Sequence, residues 1–210
     1  MRPENPNQVR AGDAFPELHL QTINGEQITI PDPAGAVTHL QLTRFAGCPI
    51  CNLHLHSVTE RRAEIESAGI REVIVFHSTL DELLKYQDDL PFPTIADPDR
   101  LLYRRFGVEH GARSILNPRS WRALPAGNAA SIRTAIRKRR APLPLNPNGG
   151  NLGLPADILI GPDSQVIAAK CGRHAYDQWT VDELLSRVRP SAAPAAPHGS
   201  ARGGERQPVR

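Results

Sequence analysis

Apolar positions in this chain fall into short blocks whose spacing changes along its length. Leu18 to Ile23 and Gln27 to Ile30 read as two short strands, and Asn24-Gly25 between them is a tight-turn signal, so an N-terminal hairpin is predicted. Val37 to Thr43 is the next strand and the first suited to the centre of a sheet. From Pro49 to Ser67 the period lengthens. Cys51, Leu55, Val58, Arg62 and Ile65 share one helical face, and Gly69 closes the helix. Pro49 suits its first turn, where a missing N–H costs nothing. Glu72 to His77 supplies a compact apolar strand, after which Ser78 or Thr79 can cap a helix running through Lys85. Pro93 to Ala96 is short and extended, and Pro98 to Phe106 predicts a third helix. Ala156 to Ile160 and Gln165 to Ala169 form a second hairpin about Gly161-Pro162-Asp163-Ser164, and a last helix spans Thr180 to Val188. Strands alternating with helices predict an α/β fold with parallel strands joined by helical crossovers.

Residues 111–151 interrupt this rhythm. They hold eight Lys/Arg and no acidic residue, and end in the helix-breaking run Ala141-Pro142-Leu143-Pro144-Leu145-Asn146-Pro147. A short helix from Asn128 to Arg139 is predicted there, the rest being a basic inserted loop. The Pro/Ala/Gly/Ser/Arg-rich stretch from Pro190 cannot bury a core. The chain therefore divides into a disordered lead (1–10), one domain (11–189, with 111–151 as an insertion) and a disordered tail (190–210). A length of 210 residues, 40% hydrophobic, suits one sizeable core. The net charge of +3 is too small to point to nucleic acid, and the Arg137-Lys138-Arg139-Arg140 run reads as a solvated face. No apolar run approaches the roughly 20 residues of a membrane span. Met1 to Gly12 is polar, unlike a secretory leader, which assigns the chain to a reducing cytoplasm.

In that compartment a cysteine pair is catalytic or metal-binding more often than structural. Cys48-Pro49-Ile50-Cys51 follows a strand and opens a helix. Two sulfurs three residues apart on a first turn can come within bonding reach. The unpaired N–H groups and dipole of that turn stabilise a thiolate, which can lower a thiol pKa from about 8.5 to about 3.5–7.5. The alternatives are that both cysteines merely fill the core, or that Cys48, Cys51, His54 and His56 bind zinc. The zinc reading suffers because one helix cannot aim all four at one point. His54 is read as a surface residue, the alternative being that it modulates Cys51 from one turn away, and Cys171, after the strand ending at Ala169, as a structural thiol, the alternative being a second resolving thiol. Asp157 is either a buried proton acceptor or a polar strand end.

Several ordered segments resemble the peroxiredoxin-like branch of the alkyl hydroperoxide reductase/thiol-specific antioxidant family. They are Gly12-Asp13-Ala14-Phe15-Pro16-Glu17-Leu18, the Asn24-Gly25 hairpin, the strand into Cys48-Pro49-Ile50-Cys51, Gly153-Leu154-Pro155-Ala156-Asp157-Ile158-Leu159-Ile160, Gly172-Arg173-His174 and Asp177-Gln178-Trp179. The resemblance implies a thioredoxin-like fold, a central mixed sheet flanked by helices. It also implies a peroxide or disulfide substrate, thioredoxin or a low-molecular-weight thiol as reductant, and no cofactor. Peroxiredoxins carry Pro-x-x-x-Thr/Ser-x-x-Cys, the last residue attacking peroxide. Here Cys51 takes that place, Cys48 replaces the Thr/Ser and Arg44 replaces the Pro, while the family's later arginine falls near Pro155. Arg44 or Arg173 would supply the missing cation. Laid instead on thioredoxin, Cys48 attacks, Cys51 resolves, and Pro155 is a cis-proline beside the disulfide. The expected function is thus a thiol–disulfide redox enzyme working through Cys48 and Cys51, with Arg44 and Pro155 at the site. A redox-inert module binding through residues 113–140, or a small zinc protein, are the alternatives.

Overall fold

The computed structural model describes residues 7–108, 150 and 153–188. The basic insertion with its predicted helix, and the C-terminal tail, lie outside the described residues. Strands β1 (Leu18–Gln21) and β2 (Gln27–Ile30) form the antiparallel N-terminal hairpin. They are followed by β3 (Val37–Leu42), α1 (Pro49–Glu60), α2 (Arg62–Ser67), β4 (Ile70–Phe76), α3 (Leu80–Tyr86), β5 (Thr94–Ala96) and α4 (Leu101–Arg105). After the insertion come β6 (Ala156–Ile160), β7 (Val166–Cys171) and α5 (Val181–Val188). The five-stranded sheet has the order β5-β4-β3-β6-β7. β4 is parallel to β3 and β5, whereas β6 is antiparallel to β3 and β7, so the sheet is mixed. Among the described residues no helix is long and apolar enough to cross a membrane.

The long helix expected over 49–67 is two helices. The backbone leaves helical geometry at Arg61 (φ −104°, ψ 19°), whose guanidinium is held by Glu64 and, at 2.7 Å, by Asp182. Ile65 still reaches the core, but Arg62 turns outward to Glu66 rather than sharing the buried face. The helix expected over 98–106 is shorter, because the Asp97 carboxylate accepts from the Leu101 and Leu102 N–H groups and starts α4 there. Thr79 caps α3 as expected, accepting from Glu82 N–H. Thr180 and Glu183 exchange side-chain-to-backbone bonds at the start of α5, a capping box.

The central strand β3 is covered on both faces. Leu40, Leu42, Val73, Val75, Ile158 and Ile160 pack on one side against the hairpin and α4. On the other side Ile74, Phe76 and Leu159 meet Leu55 and Val58 of α1 and Leu184 and Leu185 of α5. That second face also carries His39 and Gln41 of β3, Glu72 of β4 and Asp157 of β6, all buried. His39 Nδ1 lies 3.0 Å from both Glu72 oxygens. Its Nε2 is 3.3 Å from Asp157 Oδ1, a close ion pair without hydrogen-bond alignment. Asp157 Oδ2 accepts the Trp179 N–H at 3.0 Å. Burial alone would lower the His39 pKa, but the Glu72 charge and the contacts with both carboxylates raise it from 6.5 to about 10. The ring is therefore an imidazolium held between two carboxylates.

A group whose pKa rises on folding stabilises the protein below its unfolded value and loses that contribution as pH climbs through the folded value. The His39 contribution should be complete below pH 6.5 and disappear as pH rises through about 10. Replacing His39 by Leu strands two buried carboxylates and should cost roughly 3–5 kcal/mol at neutral pH. Urea unfolding of both proteins across this window checks the point. The gap between them should close toward high pH, and a gap that stays constant contradicts the charge assignment.

Candidate active site

β3 ends at Leu42, and the next residues turn sharply so that α1 can pack back across the sheet. Gly47 makes the turn at φ 76°, a left-handed backbone value that suits glycine. His77 N–H donates to Arg44 O, and Ala46 N–H donates to Ser78 Oγ at 3.0 Å, tying this loop to the end of β4. Cys48 is the N-cap of α1, in extended conformation (φ −61°, ψ 120°), and Pro49 occupies the first helical position. Cys48 and Cys51 are each 0% exposed and form a small cluster with Phe45, Ile50 and Ala175. All three cysteines are free thiols in this structure.

Arg44 enters the same space with only 3% of its surface exposed. Its Nη1 donates to Cys48 Sγ at 3.3 Å and its Nε to the Gly153 carbonyl at 3.0 Å, while the guanidinium lies 5.2 Å from the Phe45 ring centre. A β-carbon at Gly153 would run into the ring of buried His77. Burial opposes ionisation of Cys48. The Cys51 thiol, the Arg44 charge and the Cys51 and Ile50 N–H groups outweigh it and hold the Cys48 pKa well below that of an ordinary thiol. For Cys51, burial and the neighbouring Cys48 act together and push its thiol well above the ordinary value. One sulfur of the pair is thus set to be a thiolate and the other a thiol.

Three of the four expected site residues, Cys48, Cys51 and Arg44, come together. Pro155 does not have the predicted cis geometry: Ile30–Pro31 is the cis bond among the described residues, and Leu154–Pro155 is trans. Its carbonyl instead accepts the Gly172 N–H at 2.8 Å, the role of a proline leading into β6. Arg173, the other candidate cation, is 78% exposed and faces Asp177. His54 is not a surface residue. It stands three residues after Cys51 on the inward face, 7% exposed, and its Nε2 meets Gln41 Oε1 at 3.0 Å. His56 is exposed beside Glu60, so the four candidate zinc ligands diverge. Among the described residues no group of three His, Cys, Asp or Glu is placed to hold a metal. Cys171 packs half-buried against the core on the hairpin side.

A cysteine pair at a helix N-terminus beside a mixed sheet of this order is the architecture of the thioredoxin-like fold, on which thiol-dependent oxidoreductases are built. Within that class the chain belongs to the AhpC/TSA family, which residues 11–169 match. No curated protein matches it. Among solved structures it is similar to a mutant peroxiredoxin 6 of Arenicola marina (TM-score 0.61, 16% identity, 86% of this chain and 72% of that one). The peroxidoxin BcpB of Mycobacterium tuberculosis is also similar (TM-score 0.61, 14% identity, 87% of this chain and 97% of that one). So is AhpC of Mycobacterium tuberculosis (TM-score 0.56, 14% identity, 86% and 92%). At such identities these likenesses concern the fold.

Replacing Arg44 by Met removes the buried charge beside Cys48. The pH midpoint for alkylation of Cys48 by iodoacetamide should rise by roughly 1–3 units. An unchanged midpoint would show that the guanidinium does not set the thiolate.

Proposed function

We propose that the chain reduces peroxides, with Cys48 as the attacking thiolate and Cys51 as the resolving thiol. The observation that carries this reading is the contact between Arg44 Nη1 and Cys48 Sγ, a buried cation against a buried sulfur at a helix N-terminus. The Cys48 thiolate attacks one peroxide oxygen, the O–O bond breaks, and the other oxygen leaves as an alcohol or water after taking a proton. Cys48 becomes a sulfenic acid, oxidised by two electrons. In this reading Arg44 stabilises charge on the departing oxygen, a contribution worth about 10²–10³ in rate for one donor at comparable sites. Cys51 then attacks the Cys48 sulfur, the S–S bond forms, the S–O bond breaks, and water is released. A small dithiol or thioredoxin-type protein returns both sulfurs to thiols by exchange.

The resemblance to the peroxiredoxin motif implies Cys51 as the attacking residue, but a thiol pushed up by burial and by its neighbour Cys48 is the poorer nucleophile. We place this activity in one domain, 11–189, in a reducing cytoplasm.

Cysteine-to-serine variants separate the roles. Cys48→Ser should consume no peroxide. Cys51→Ser should complete a single turnover and accumulate a sulfenate that a dimedone probe traps on Cys48. Trapping on Cys51 in Cys48→Ser, with none on Cys48 in the other variant, would reverse the assignment.

A further inference from the structure

The chain leaves β3 just before Arg44, and there the backbone breaks the pattern of its pairing with β4. The register runs to Leu42 opposite Val75, and Thr43 N–H still donates to Val75 O at 2.8 Å. In a regular parallel ladder the next bond would bring His77 N–H to Thr43 O. His77 N–H goes instead to Arg44 O at 3.2 Å, one residue further on. Thr43 is 0% exposed, so its carbonyl needs another donor. Tyr103 of α4 supplies one: its hydroxyl lies 2.6 Å from Thr43 O and 3.1 Å from Val75 O. Val75 O already accepts the Thr43 N–H and the Thr43 hydroxyl, each at 2.8 Å. The single Tyr103 proton therefore goes to Thr43 O.

The same side chain touches the second support of Arg44. The Tyr103 ring stands edge-on to His77, with centroids 5.6 Å apart and planes at 80°. His77 fills the space beside Gly153, and the Gly153 carbonyl receives Arg44 Nε at 3.0 Å. α4 holds Tyr103 in place, since Asp97 accepts the Leu101 and Leu102 N–H groups that open the helix. Burial, with the Asp97 charge, pushes the Tyr103 phenol well above its ordinary pKa, so the hydroxyl stays protonated and remains a donor.

We propose that Tyr103 is a positioning residue for the reactive thiolate: its hydroxyl fixes the peptide group between Thr43 and Arg44, and so holds the guanidinium against Cys48. The inference rests on the reading of Cys48 as a thiolate set by Arg44. Without the hydroxyl the buried Thr43 carbonyl must turn to find another donor, and the residue that turns with it is Arg44. The phenol acts through Arg44 and transfers no proton.

Tyr103→Phe is the discriminating variant, because it keeps the ring against His77 and removes only the hydroxyl. The pH midpoint for alkylation of Cys48 should rise by roughly 1 pH unit, the lower end of what a nearby opposite charge supplies. A side chain that served stability alone would leave that midpoint where it is. Because the effect runs through the guanidinium, adding Tyr103→Phe to Arg44→Met should move the midpoint no further. A folded Tyr103→Phe with the wild-type midpoint, or a shift that adds in full to that of Arg44→Met, overturns the proposal. Should the variant fail to fold, the wild-type protein decides. With the Thr43 carbonyl carbon isotopically labelled, its NMR signal should titrate with the Cys48 midpoint, since the coupling between the two is reciprocal. A signal that stays still while Cys48 ionises also overturns the proposal. If Cys48 in the wild type ionises like an ordinary thiol, the underlying reading of the site falls instead.

Discussion

A guanidinium taken almost wholly out of water must find its hydrogen bonds inside the protein, and Arg44 organises its surroundings by that demand. Its Nε fixes the carbonyl of Gly153, which places the chain entering β6 against the end of β3. Its Nη1 reaches Cys48 Sγ, and the Cys51 thiol together with the Arg44 charge lowers the pKa of that sulfur against the effect of burial. Gly153 has no side chain because His77 fills the space one would need. The turn at Gly47 brings the N-terminus of α1 to the same point, adding its N–H groups to the sulfur. Cation, turn and glycine thus converge on one thiolate.

Behind this site the sheet carries an unusual load. His39, Gln41, Glu72 and Asp157 fill positions that apolar residues would ordinarily take, and each hydrogen-bonds another or the chain around Trp179, while His39 Nε2 and Asp157 Oδ1 meet only as an ion pair. Such a cluster is costly to assemble and more costly to break. It links the elements that wall the thiols. Gln41 binds α1 through His54 and the segment after β7 through Gln178, and Ala175 of that segment touches the cysteine cluster. Movement of α1 relative to that segment would have to break bonds to a single amide oxygen.

Much of this was legible in the sequence. The hairpin about Asn24-Gly25, the strands, the Thr79 cap and the placement of Cys48 and Cys51 between a strand and a helix follow from local chemistry that the structure leaves unchanged. The polar cluster was hidden for a physical reason. β3 was expected at the centre of the sheet, but nothing local to it says what His39 and Gln41 would meet there, because Glu72, Asp157 and His54 reach them only through the packing of β4, β6 and α1. His54 had a signal that composition obscured: Cys51, His54, Leu55 and Val58 share one helical stripe, and a histidine there is as buried as its neighbours. Arg44 was recognisable as a candidate cation, but its choice over Arg173 depends on contacts 109 residues apart in sequence. The predicted cis geometry at Pro155 came from analogy and did not hold.

The central claim is that one buried pair, Cys48 and Cys51, carries the redox cycle. Peptide mapping by mass spectrometry of the wild-type protein, alkylated after one equivalent of hydrogen peroxide, tests it most directly. The account predicts a single new disulfide joining Cys48 to Cys51, with Cys171 still alkylated as a thiol. Oxidation that settles on Cys171, or that leaves both Cys48 and Cys51 as thiols, would contradict it.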